Sequence, residues 1–361
     1  MAKIKKGEVY FYFCYDISEE INLDKIDRLL GKKTEKYSIY TKSLNPSYMQ
    51  YSIPPLFAEL GSVTATYCGK TVKGHILVKI YDFGAVTLRF GVDFDGDLND
   101  LLKFSCSTER ANLFSSEAEE IIRKIKMEIR DTLTNPEKKT NQSETYTIFT
   151  IRGFDKDFSG KSLYDKYWKL IAKIVKQEHD FMSESELKTT IENSLSYYKN
   201  DLIIVDWNSA FVYDTSKDFE VLDVIEFALI QSLELRVYDN YLDVIIQKAY
   251  GDLGKEKTLF MLRYRNKLNN LLYIKLEITE VVDKVENSLK LVGEPFLAKI
   301  YSLAAKKFYI DTWKSSVRSK LNALENIYES LSTQVQNDIM LILEVSIVLL
   351  FIIDLIGLFF F

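Results

Sequence analysis

Residues 339–361 read IMLILEVSIVLLFIIDLIGLFFF, and only Glu344, Ser346, Asp354 and Gly357 in that stretch are not strongly apolar. As a helix rising about 1.5 Å per residue it reaches about 34 Å, enough to cross a hydrocarbon layer of about 30 Å. Eighteen of its residues are Leu, Ile, Val or Phe. At roughly −0.3 to −0.6 kcal/mol each they total on the order of −7 kcal/mol, against about +6 for two acids at the centre of a span. Neither acid is central, so insertion is favoured. A soluble C-terminal helix would need apolar cover on every face, and Phe359-Phe360-Phe361 makes that harder. The two intramembrane acids, Glu344 and Asp354, are expected to be neutral or paired with a neighbouring helix. With nothing to translocate beyond Phe361, the body is expected to stay on the side of synthesis, in the cytoplasm or its equivalent.

Upstream of the span the chain changes character once. The N-terminal part, 1–215, has four stretches of strand character: Val9–Ile17, His75–Asp93, Thr145–Arg152 and Asp201–Asp214. The second and fourth read as similar hairpins, turning through Asp82-Phe83-Gly84-Ala85 and Asp206-Trp207-Asn208-Ser209. Gly84 and Asn208 are residue types that accept a left-handed backbone. Helices are expected over Leu23–Leu30, Glu117–Thr132, Ser162–Gln177 and Ser185–Tyr197, and Asp131–Thr145 with Pro136 as a surface loop. The mixture is an α+β head.

Residues 216–338 read as a helical domain, opening with a helix over Glu220–Tyr250. Leu271, Ile274, Ile278, Val281 and Val285 then step 3-4-3-4, the seam of a coiled coil. Gly293-Glu294-Pro295 stops one helix and starts the next. That second helix carries its own seam, Val317, Leu321, Leu324, Tyr328, Leu331 and Val335, and has no Gly or Pro before Gly357. The expected fold is therefore an α+β head, an antiparallel coiled-coil hairpin and one transmembrane helix at 339–361.

Composition excludes several classes. The net charge is −5 with a pI near 5.4, which gives no reason to expect specific DNA binding. Gly (14) and Pro (5) are scarce, in keeping with long uninterrupted elements. Cys14, Cys68 and Cys106 are odd in number and widely spaced, unlike a disulfide framework or a zinc site. His75 and His179 are the only histidines, so nucleophilic triads have little to draw on. Gly69-Lys70-Thr71 lacks the Gly a phosphate loop needs five residues earlier, where Thr64 stands. Asp82-Phe83-Gly84 is better explained by a turn than as part of a kinase. Asp93, Asp95 and Asp97 alternate like the opening of a calcium loop, but Leu98 and Phe104 occupy the Gly and Glu positions. No catalytic residue and no cofactor are read from the sequence.

Basic residues recur at Arg263, Arg265 and Lys267, and at Lys306, Lys307, Lys314, Arg318 and Lys320. Lys320 lies about 28 Å along a helix from Ile339, beyond the ~8–10 Å reach of charge at physiological salt. These side chains are expected to solvate the hairpin or to meet an anionic partner.

The stretch from Asp201 through Asp206, Asn208 and Asp214 leads into FALIQSLELRVYD at 227–239, and then to the hairpin and a span carrying LILEVSI at 341–347. This order resembles the required-for-meiotic-nuclear-division family, also called the YagE-type domain family. The resemblance runs over roughly residues 75–361 and is strongest at Ala228, Gln231, Ser232, Leu235 and the anchor. It implies a membrane-associated protein without an established enzymatic activity. Mitochondrial relatives in that family are implicated in translation at the inner membrane, fungal ones in meiosis and sporulation. The expectation is a membrane-anchored scaffold that self-associates and holds a protein or ribonucleoprotein partner. A membrane-tethered, metal-dependent hydrolase using Asp93, Asp95 and Asp97 is the alternative.

Overall fold

The computed structural model describes residues 2–30, 38–40, 49–51, 53–136, 142–179, 182–215, 219–253, 272–276, 278–279, 282–283, 289–291 and 295–360. They divide into two compact units, Met1–Val237 with Lys284–Trp313, and Tyr238–Asp283 with Lys314–Phe361. The first is thus discontinuous and extends past residue 215.

In chain order the first strands are β1 (Lys3–Asp16), β2 (Glu20–Ile21), β3 (Ser38–Tyr40), β4 (Met49–Tyr51), β5 (Leu56–Tyr67), β6 (Lys70–Ile80) and β7 (Ala85–Asp97). The later ones are β8 (Leu133–Thr134), β9 (Ser143–Phe154), β10 (Asp201–Val205), β11 (Ser209–Asp214) and β12 (Leu289–Leu291). Eight of them form one sheet in the order β10-β11-β9-β1-β7-β6-β5-β3, and β12-β4 and β2-β8 form two small pairs. The helices are α1 (Leu23–Leu30), α2 (Leu98–Arg110), α3 (Ser115–Glu128), α4 (Gly160–Lys176), α5 (Glu184–Ile191), α6 (Glu220–Leu253), α7 (Pro295–Lys307) and α8 (Ile310–Phe360).

Strand β1 lies inside the sheet, antiparallel to β7 on one side and β9 on the other. Its apolar run is explained by burial on both faces. Val9, Phe11 and Phe13 point to a core shared with Leu88, Phe90, Phe149 and Ile151, and α2 to α5 cover that face. Tyr10, Tyr12 and Cys14 point to the opposite face and are buried too.

The two expected hairpins are present as β6–β7 and β10–β11. Gly84 has φ +100°, and a Cβ there would stand 1.7 Å from the Ser18 carbonyl oxygen. The Gly84 carbonyl in turn accepts a 3.0 Å hydrogen bond from the Ile17 amide. Asn208 differs from the expectation: it is not among the residues of positive φ. Its side chain instead donates to the Gln177 amide oxygen at 3.1 Å, and its carbonyl accepts from the Thr147 amide.

Three further elements depart from the sequence reading. The stretch after Asp97, not among the expected helices, is α2, because Asp97 and Asp100 form a reciprocal capping box. Strand β5 was hidden by a register shift between Glu59 and Ser62, where Gly61 has φ +81°. The Pro295 helix ends at Lys307 and a new one starts at Ile310, with Tyr309 at φ +56°. Phe308 causes the break: it is buried, stacks edge-on against Tyr146 at 5.3 Å, and its carbonyl accepts from the Ser232 hydroxyl at 3.1 Å. Of the expected loop at Asp131–Thr145, Leu133–Thr134 pairs with β2, and 137–141 lie outside the described residues.

In the second unit, Ala249 of α6 packs with Ile327 and Leu331 of α8. The seam residues Val317, Leu321, Leu324 and Leu331 are buried, as is Ile278. Lys320 reaches Asp239 at 2.9 Å and Asp243 at 2.7 Å, and Lys275 reaches Glu325. Leu271, Val281, Val285, the Arg263–Lys267 group and Gly293-Glu294 lie outside the described residues. The last part of α8, Ile339–Ile356, has a mean hydropathy of 2.8 and no buried residue.

Replacing Gly84 by Ala combines an unfavourable positive φ with a backbone clash. It should cost more than about 1 kcal/mol of stability, read as an earlier urea midpoint for the full chain in detergent. An unchanged midpoint would contradict the close approach of Ser18.

Candidate functional site

Apolar strands and helices in the first unit carry isolated charges that converge on the sheet face opposite α2–α5. Lys79 lies in HILVKI of β6, Arg89 in AVTLRF of β7, and Glu226 in VIEFALI of α6. Lys79 is 2% exposed and Glu226 1% exposed. The Lys79 ammonium donates to Asp223 at 2.6 Å and to Glu226 at 2.8 Å. Thr87 and Tyr81 hydroxyls donate to the other Glu226 oxygen at 2.6 and 3.2 Å. Glu226 thus accepts three hydrogen bonds in the interior. Arg89 lies between the rings of Tyr10 and Phe219, 5.3 and 5.2 Å from their centroids.

The electrostatics follow from this enclosure. Burial works against the charge on Arg89, yet Tyr12, Asp223 and Glu226 together hold it above the ordinary guanidinium range. Burial pushes the Tyr12 hydroxyl and the Cys14 thiol well up. Cys14, Lys79 and Glu226 are enclosed in the interior, while Asp223 and Arg89 stay partly exposed at its edge. The cluster's chemistry is attachment: opposite charges from strand and helix neutralise each other and fix the first turns of α6 on the sheet.

A second cluster gathers the residues singled out at 206–235. Asp206, 3% exposed, meets Lys176 of α4 at 2.9 Å and Lys307 of α7 at 3.1 Å. Burial opposes the Lys176 charge, but Asp206 and Glu186 raise its pKa overall. The Tyr146 hydroxyl donates to the Asp206 carbonyl at 2.9 Å. Gln231 accepts from the Tyr301 hydroxyl, and Ser232 donates to Phe308. Ala228 and Leu235 are fully buried beside them. These side chains bind α7 to the hairpin turn and to α6. Lys307 and Lys320 are consequently engaged within the chain, and Lys314 and Arg318 also have partners.

The three alternating aspartates are not brought together. Asp97 accepts from the amides of Asn99 and Asp100 at 2.8 and 3.0 Å. Asp93 and Asp95 are exposed on an open groove of about 590 Å³ that also takes in His75, Lys70, Lys73 and Lys103. Among the described residues, no three His, Cys, Asp or Glu side chains form a metal-binding group. Gly69 and Cys68 form the two-residue turn between β5 and β6, with φ +73° and +46°.

Residues 6–220 match the family described as Uncharacterized protein MJ0711, N-terminal domain, and the chain belongs to that family. The match runs from β1 to the first residue of α6 and so covers most of the sheet and its helices. A curated relative, Uncharacterized protein MJ0711 of Methanocaldococcus jannaschii, is 27% identical over 234 residues, 64% of this chain and 72% of the relative. No solved structure matches the chain.

The buried ion cluster was missed in the sequence, although a lone Lys, Arg or Glu inside an apolar run is a usable signal. Lys79→Met should destabilise the fold by about 3–5 kcal/mol, because it leaves Glu226 buried without its cation. Adding Glu226→Gln should restore part of that loss. Additive losses in urea denaturation would show that the two side chains do not act as a pair.

Proposed function

We propose that this is a membrane-anchored interaction protein, with the α8 terminus as its anchor and the sheet-based unit as the part that holds a cytoplasmic partner. One observation carries the reading. Residues Ile339–Ile356 of α8 have a mean hydropathy of 2.8 and none of them is buried, so the described residues offer this apolar surface no cover. A soluble protein rarely leaves so large a continuous apolar surface exposed.

The partner is a protein or a ribonucleoprotein, and the resemblance to the YagE-type family favours the translation machinery. Binding falls to the head rather than to the basic residues of α7 and α8, since Lys307 and Lys320 are spent on Asp206, Asp239 and Asp243. Self-association through the acidic span belongs to the same reading.

Fractionation of the full chain beside a version stopped at Asp338 tests the anchor. The full chain should resist alkaline carbonate extraction while the shortened chain is released, and salt-sensitive co-migration with ribosomes would identify the partner class. Release of both forms alike would refute the anchor.

A further inference from the structure

Counting along α8, Asn337, Met340, Glu344, Ile347, Phe351 and Asp354 step 3-4-3-4-3. At about 100° per residue these six side chains fall within one stripe about 100° wide. The stripe therefore holds both acids of the span. All six side chains are exposed, Phe351 at 70%. Glu344 and Asp354 have no hydrogen-bond or ion-pair partner among the described residues. Ser346, which lies off the stripe, is satisfied within the helix by donating to the Ile342 carbonyl at 2.7 Å.

The stripe is also separate from the packing already made. Glu344 stands about 140–180° round the helix axis from Val317, Leu321, Leu324 and Leu331, which are buried in the second unit. Continuing that seam downward leads to Ile342, Val345, Leu349 and Ile352, which carry no polar group.

We infer that the stripe is the interface on which a second copy of this chain pairs, as a parallel two-helix seam with Glu344 against Glu344 and Asp354 against Asp354. The inference rests on the proposed membrane anchor. A stranded carboxyl in hydrocarbon is costly, and intramembrane acids face other protein rather than lipid. Two copies entering by the same terminal span lie parallel, which brings identical positions opposite one another. A neutral carboxylic acid carries one donor and spare acceptor capacity, so it complements its own copy without a basic partner. The 3-4 spacing is that of the left-handed seam that membrane helices mostly use. Asn337, at the mouth of the span, sets the register as a single polar seam residue does in soluble coiled coils.

The test uses the full chain carrying Cys68→Ser, the exposed thiol, with single cysteines placed in turn from 340 to 356 and oxidised in lipid vesicles. Cross-linked dimer should peak at 340, 344, 347, 351 and 354 and fall to a minimum at 342, 345, 349 and 352. In detergent, Glu344→Gln should keep the dimer, and Glu344→Leu should weaken it about 3- to 30-fold. Peaks on the other stripe, undiminished pairing of Glu344→Leu, or no cross-link in a chain that resists carbonate extraction would each overturn the inference. A chain that carbonate releases would instead remove the anchor on which the pairing depends.

Discussion

A carboxylate buried against a sheet organises the first unit. Glu226 is enclosed by Lys79, Thr87 and Tyr81, and these contacts fix α6 over strands that already carry a full apolar core on their other face. With α6 in place, Gln231 and Ser232 are positioned to take Tyr301 and the Phe308 carbonyl. Phe308 then interrupts the helix and lets a new one begin at Ile310. The sequence of dependence runs from one ion pair to the start of the helix that ends in the apolar segment.

Charges in such places are a weak source of net stability, because desolvation offsets most of the attraction. Their effect is specificity: a helix with an apolar surface alone has many ways to lie on a sheet, whereas Glu226 has one site that satisfies it. The same logic holds at Asp206, where two lysines from different helices converge on a hairpin turn. The residues expected to mark function by resemblance are in this sense residues of assembly.

The strands buried on both faces were legible because burial on both faces writes a continuous apolar run, as in YFYFCY at 10–15 and DLIIV at 201–205. The terminal segment was legible because its apolar residues run almost unbroken along a whole length of helix, although none of Ile339–Ile356 is buried. Strand β5 was not, since its outer residues are polar and Gly61 shifts the alternation. The helix α2 was obscured by the aspartates before it, whose last member caps it. The break at Tyr309 has no Gly or Pro to announce it, and its cause lies 163 residues away in Tyr146. Pairing of Lys79 with Glu226 across 147 residues is likewise a tertiary fact. The charges were visible in their apolar runs, but their partners were not.

Amide hydrogen exchange on the full chain in detergent tests the central claim that α6 is locked to the sheet through Glu226. The account predicts that amides at 224–233 exchange as slowly as those of β1, by global unfolding alone, and that Glu226→Gln accelerates them selectively. Fast exchange across 224–233 in the unaltered protein, with β1 still protected, would contradict it.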